Sequence, residues 1–164
     1  MLPPEILGKI LGHIPTDSEG QLTLIACALV ATWWTGPSQR RLFSSVSIHN
    51  GNYERWMNGV VSESKTHLLK YVHSLRHYHY IADIASGYPM RSLPKDSGEY
   101  LSTLHNIRRL ELAEIRIEDI GEAGFRTCFS AFCETLTDLT LQTFVTSLSA
   151  FVTLVNHFPN ITAP

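Results

Sequence analysis

Three times in the second half of the chain an apolar anchor is followed at short, even spacing by leucine: Val72-x-x-Leu75, Ile107-x-x-Leu110-x-Leu112 and Leu136-x-x-Leu139-x-Leu141. Such alternation marks short strands with one buried face, because successive side chains on a strand point to opposite sides. Between the anchors the spacing becomes helical, over 53–71, 99–104 and 122–136, where Phe125, Phe129 and Phe132 fall on one side. A last helix is expected over 147–157. Strand and helix therefore alternate, and units this small bury their apolar edges by stacking on one another. The prediction is an α/β chain built as an irregular solenoid over 48–164.

The first 47 residues read differently. Pro3 and Pro4 suit the opening turn of a helix, where backbone N–H groups lack partners, and Glu5 complements the positive end of the helix dipole. Ile6, Leu7, Ile10, Leu11 and Ile14 then form an apolar stripe that Pro15 ends. After the turn chemistry of 16–20, Leu22, Leu24, Ile25, Cys27, Ala28, Leu29 and Val30 predict a second helix, apolar on most sides and nearly surrounded. Trp33-Trp34 and the breaker pair Gly36-Pro37 are expected to close it, with a third helix over Ser38–Phe43.

Three helices of this size enclose little, and domains below about 40 residues usually need metal, disulfides or a partner. Five large aliphatic side chains in the first stripe would contribute roughly 8–15 kcal/mol on burial at ~1.5–3 each. Association opposes this with ~4 kcal/mol or more. The stripe therefore predicts a protein partner.

Leu2-Pro3-Pro4-Glu5-Ile6-Leu7 with Ile10-Leu11, then Cys27-Ala28-Leu29-Val30 with Trp34, then Leu42-Phe43 and Val46, resemble an F-box over residues 2–46. The chain departs from that family's pattern at Ala31-Thr32-Trp33 and in the helix-weakening Gly8 and Gly12. The later anchors resemble leucine-rich repeats, with the consensus asparagine replaced by Tyr80, Ile115 and Phe144. Together these resemblances, similar to the large F-box families of fungi, imply an F-box over 1–47 and a leucine-rich-repeat-like region over 48–164. They imply a substrate-recognition adaptor of a Skp/cullin/F-box ubiquitin ligase, non-catalytic and without cofactor. In such an adaptor Leu2, Pro3, Pro4, Ile6, Leu7, Ile10 and Leu11 dock a Skp-type adaptor, and through it a cullin scaffold. Leu29, Val30, Leu42 and Phe43 serve that interface in part and the core in part, with Trp34 packed inside. The alternative is a repeat-type binding module outside ubiquitin transfer, whose N-terminal helices only cap the solenoid.

In the strands, the residues alternating with leucine face the concave side: Ser74 and Arg76, Arg109 and Glu111, Asp138 and Thr140. Arg76, Arg109, Glu111, Asp138 and Thr140 are the candidate contacts for a protein substrate. Ile161, after Phe158-Pro159-Asn160, reads as the opening of another unit, so the solenoid is expected to be incomplete at that end.

Composition narrows the field. Lys and Arg number 13 against 15 Asp and Glu, a formal charge of −2, which offers no electrostatic footprint for nucleic acid or an anionic membrane. The apolar run from Leu22 to Trp34 is shorter than the ~20 residues of a membrane-spanning helix, and no basic segment precedes an apolar one as in a secretory signal. The 3 cysteines, Cys27, Cys128 and Cys133, lack zinc spacing and suit the reducing cytoplasm or nucleus. His73, His77 and His79 share one strand parity, but no cysteine or carboxylate accompanies them at ligand spacing, so no metal is assigned. Phosphate loops, nucleophile elbows and zincin motifs are missing from the sequence. Pairs such as Asp119 and His105 arise by chance among so many titratable residues.

Overall fold

The computed structural model describes residues 3–49, 51–61, 63–78, 97–113, 121–142 and 148–161. Leu2, His79, Tyr80, Ile115, Asp119 and Phe144 lie outside them, as does the side chain of Phe125. The chain forms N-terminal packed helices and then a sheet with interleaved helices, divided into two compact units, Met1–Ser45 and Val46–Pro164.

In the first unit, α1 (Pro4–Gly12) starts on proline as expected, and the guanidinium of Arg41 reaches the Gly12 and Ile14 carbonyls beyond its last turn, both at 3.4 Å. A cation there complements the negative end of the dipole. The next helix, α2 (Ser18–Val30), is capped by Asp17, whose side-chain oxygen accepts from Gly20 N–H at 2.8 Å. Gly20 is buried and leaves no room for a side chain: a Cβ there would collide with the carbonyl of Pro15.

The third helix departs from expectation. Trp33, Trp34, Gly36 and Pro37 do not end α2; they lie inside α3 (Thr32–Leu42), and Ala31 alone, fully extended at φ −159° and ψ 149°, separates the two helices. Packing decides this against local propensity. Both tryptophans lie half-buried against the Leu7, Leu11 and Leu24 cluster, with ring centroids 5.4 Å apart. Thr35 Oγ1 donates to the Ala28 carbonyl at 3.0 Å, satisfying one of the acceptors that a helix end leaves open.

In the second unit, β1 (Ser45–His49), β2 (Ser74–Tyr78), β3 (Arg109–Ala113) and β4 (Asp138–Gln142) form one sheet in chain order. The β2–β3 and β3–β4 pairs are parallel and in step: Ser74 lies opposite Arg109 and Arg109 opposite Asp138. Helices α5 (Ser97–Ser102), α6 (Gly121–Phe129) and α7 (Leu148–Asn156) alternate with the strands. The helix expected over 53–71 is instead one α-helical turn, α4 (Tyr53–Trp56), a π-turn over Met57–Val61 and a 3₁₀ stretch over Glu63–Tyr71. Leu68 and Leu69 at its C-terminal end are buried, as is Val72 just beyond it.

The core of this unit gathers the anchors and the helix aromatics. Val72, Ile107 and Leu136 are fully buried, together with Tyr100, Phe129 and Phe132. Phe132 stacks on Phe158 at 6.4 Å, and Phe129 meets both edge-on. No helix among the described residues is long and apolar enough to cross a membrane.

Candidate docking surface

The apolar stripe of α1 has two edges. Adjacent helical residues project about 100° apart, so Ile6 and Ile10 share one line and Leu7 and Leu11 another. The second line faces inward: Leu7 and Leu11 are buried at 1% exposure and join Leu24, flanked by Ile14, Cys27, Trp33, Trp34 and Leu42. Leu7 and Leu11 are therefore core residues of the three-helix unit, which corrects their assignment to the docking set. Ile6 and Ile10 stay in water at 43% and 44% exposure.

The second helix is not surrounded. Within α2 only Gly20 and Leu24 are fully buried, whereas Leu22, Ile25, Leu29 and Val30 stand exposed, Leu29 at 82% and Val30 at 74%. Leu22, Ile25 and Leu29 fall at i, i+3 and i+7, one face of the helix. The sequence reading missed Leu22 and Ile25 because from Leu22 to Val30 every position of α2 but Thr23 is apolar, so its pattern does not say which side is covered. Pro3 and Pro4 are exposed, and Leu42 and Phe43 are half-buried. Among the described residues, six large aliphatic side chains of α1 and α2 are thus left in solvent, while Leu7, Leu11 and Leu24 are sealed.

On the sheet, the positions that alternate with the buried leucines lie on one face and form rows across the strands. One row runs Ser74, Arg109, Asp138 and the next Arg76, Glu111, Thr140. Arg76 Nε meets Glu111 at 3.0 Å and Arg109 Nε meets Asp138 at 3.3 Å, so each arginine pairs with the carboxylate on the following strand. Both pairs are solvent-accessible and contribute little to stability. Arg76 also lies over the Tyr78 ring at 5.1 Å, and Tyr78 is 5.3 Å from the His49 ring.

Of the described histidines, His73 and His77 do not converge. His77 points inward and is buried at 3% exposure, where Nδ1 shares a 2.6 Å hydrogen bond with the Tyr100 hydroxyl. Burial, then Tyr53 and Cys128, push the Tyr100 hydroxyl well above its ordinary pKa of 10.0. His73 is exposed and donates from Nδ1 to the Asn106 carbonyl at 3.1 Å. Among the described residues no group of three His, Cys, Asp or Glu is placed to hold a metal ion. Cys27, Cys128 and Cys133 are free thiols, and burial pushes the Cys128 thiol above its usual pKa, away from the reactive thiolate.

The chain matches no protein family, no characterised protein and no solved structure.

Proposed function

We propose that the protein is a non-catalytic adaptor in which the first unit docks a Skp-type adaptor of a cullin ubiquitin ligase and the repeat unit holds a protein substrate. The observation that carries this reading is the uncovered aliphatic surface of α1 and α2: Ile6, Ile10, Leu22, Ile25, Leu29 and Val30. Exposed apolar side chains gathered along a helix face, as Leu22, Ile25 and Leu29 are on α2 and Ile6 and Ile10 on α1, are the kind of surface that a protein partner covers. Part of the F-box-like set, Pro4–Leu7, Ile10, Leu11 and Cys27–Val30, lies in the same helices. Leu7 and Leu11 hold the unit together, and Ile6 and Ile10 beside them make the contact. The polar rows of the sheet, with Arg76, Arg109, Glu111, Asp138 and Thr140, supply the second binding face. The mechanism is proximity: tethering raises the concentration of substrate lysines near an active site carried by other subunits.

Co-expression with a Skp-type adaptor tests the reading. Co-purification should be strong for the native chain and reduced at least about tenfold by Ile10→Asp or Leu29→Asp, as expected when an interface anchor worth ~1.4 kcal/mol or more is lost. Leu7→Asp should instead lose soluble protein altogether. Equal recovery with and without the adaptor, and indifference to Ile10→Asp, would leave the first unit as a cap on a repeat-type binding module.

A further inference from the structure

The two helices that leave aliphatic side chains in solvent do so differently. On α1, Ile6 and Ile10 flank the buried leucines, whereas the exposed residues of α2 lie on the side turned away from its core. Residues 3–49 are described without a gap, and α2 lies wholly inside them. With Leu24 taken as the inward direction, steps of about 100° place Ile25, Leu29 and Leu22 roughly 100–160° round the helix, with Ala26 beside them and Val30 on the far flank. All five are exposed. Charge is nearly absent: Glu19, in the first turn, is the one charged residue of α2. The polar side chains nearby turn back on the backbone, Thr23 Oγ1 donating to the Glu19 carbonyl at 3.0 Å and Gln21 Nε2 to that of Thr16 at 3.4 Å. Such a face suits an apolar occupant and offers nothing to a charged one.

Spacing identifies the occupant. Leu22, Ile25 and Leu29 repeat at i, i+3 and i+7, the alternation with which two helices pack side by side. The stripe is also its own complement. When a second copy of α2 is laid antiparallel about the midpoint between Ile25 and Ala26, Leu22 falls opposite Leu29 of the second copy and Ile25 opposite its Ala26, large against small. The antiparallel sense follows from charge: it sets the two Glu19 carboxylates about 20 Å apart, beyond the ~8 Å screening length of physiological salt, and opposes the helix dipoles. A parallel pair would bring both carboxylates and the like ends of the dipoles together. Covering the four aliphatic side chains, exposed by 46–82%, with Ala26 on both copies removes on the order of 1,000 Å² from water, the lower bound for a specific interface. The pair is therefore weak and reversible.

We propose that α2 pairs antiparallel with α2 of a second copy of this chain, and that this dimer covers the docking surface until an adaptor displaces it. The interface is isologous, the same patch on both copies, as two-fold symmetry requires. The pairing stands on the α2 stripe alone. The masking role rests on the reading that α1 and α2 dock an adaptor, because Leu22, Ile25 and Leu29 then serve both contacts and only one partner fits at a time.

Sedimentation of the full chain from about 1 to 200 μM should show a monomer–dimer equilibrium that goes no further, with a dissociation constant in the micromolar range. Leu22→Glu and Leu29→Lys, both on the exposed face, should each stay folded by circular dichroism and weaken self-association at least about tenfold. Mixed in equal amounts, these two variants should form a heterodimer, since the altered positions face each other in the antiparallel pair. Leu22→Glu mixed with Leu22→Lys should stay monomeric, because those positions meet only in a parallel one. If a charged variant unfolds, Leu29→Ser must show weakened self-association in its place. A chain that is monomeric throughout overturns the pairing, as does a dimer that the folded variants leave intact, or association that grows past two copies without limit. For the masking role, a Skp-type adaptor titrated into the dimer should give a one-to-one complex with no chain–chain pairs left. An adaptor bound to an intact dimer overturns the masking. An adaptor that does not bind overturns the adaptor reading and the masking with it, while the pairing is still decided by the mixed variants.

Discussion

At the scale of single residues, function and stability separate within one turn of α1, where Leu7 and Ile6 are neighbours in sequence and opposites in role. Close approach matters as much at Gly20. A side chain there meets the Pro15 carbonyl, so Gly20→Ala should destabilise the first unit by about 1–3 kcal/mol, the usual range for overpacking. Urea unfolding followed by tryptophan fluorescence measures it. In the second unit, Tyr100→Phe withdraws the hydroxyl from His77 and should cost about 1–3 kcal/mol, because a buried polar atom loses its partner. His157 adds a pH dependence. Burial, and then the charge of Arg126, hold its pKa below the ordinary 6.5. The unfolded chain therefore takes up a proton before the folded one does. The contribution is full above about pH 6.5 and is lost as pH falls below it toward the depressed folded value. Unfolding midpoints across pH 5–8 should show this loss on the acid side, and Arg126→Gln should shrink it.

The elements show how far propensity can be overruled. Gly36-Pro37 reads as a stop, yet α3 runs through both, because two tryptophans on its first turn pack against the leucine cluster. The anchors were easier to read: alternation of Leu110 and Leu112 with Arg109 and Glu111 assigns the two faces of β3 directly. For α2 the even spread of apolar residues hid the outward side, and only packing singled out Leu24 as the inward one. Leu24→Ala should therefore cost about 2–4 kcal/mol, in the range for buried leucine truncation. Leu29→Ser should stay within about 0.5 kcal/mol, as surface changes do. Chemical denaturation of both variants makes the comparison.

The whole molecule divides into a small unit with a thin core and a larger one with a deep core. In the larger unit, Phe129, Phe132 and Phe158 join the helices to the anchors, so Phe132→Ala should cost about 3–5 kcal/mol and loosen the sheet as a body. Hydrogen exchange on β2, β3 and β4 together would report it. The sequence by itself determined the α/β class, the anchors and the outward polar rows, because alternation and helical spacing are local and carry their own periodicity. Tertiary structure alone decided which edge of the α1 stripe is core, which side of α2 is bare, and where the third helix begins. Those outcomes depend on which surfaces meet, and a residue's partners across the fold are not written in its neighbours along the chain.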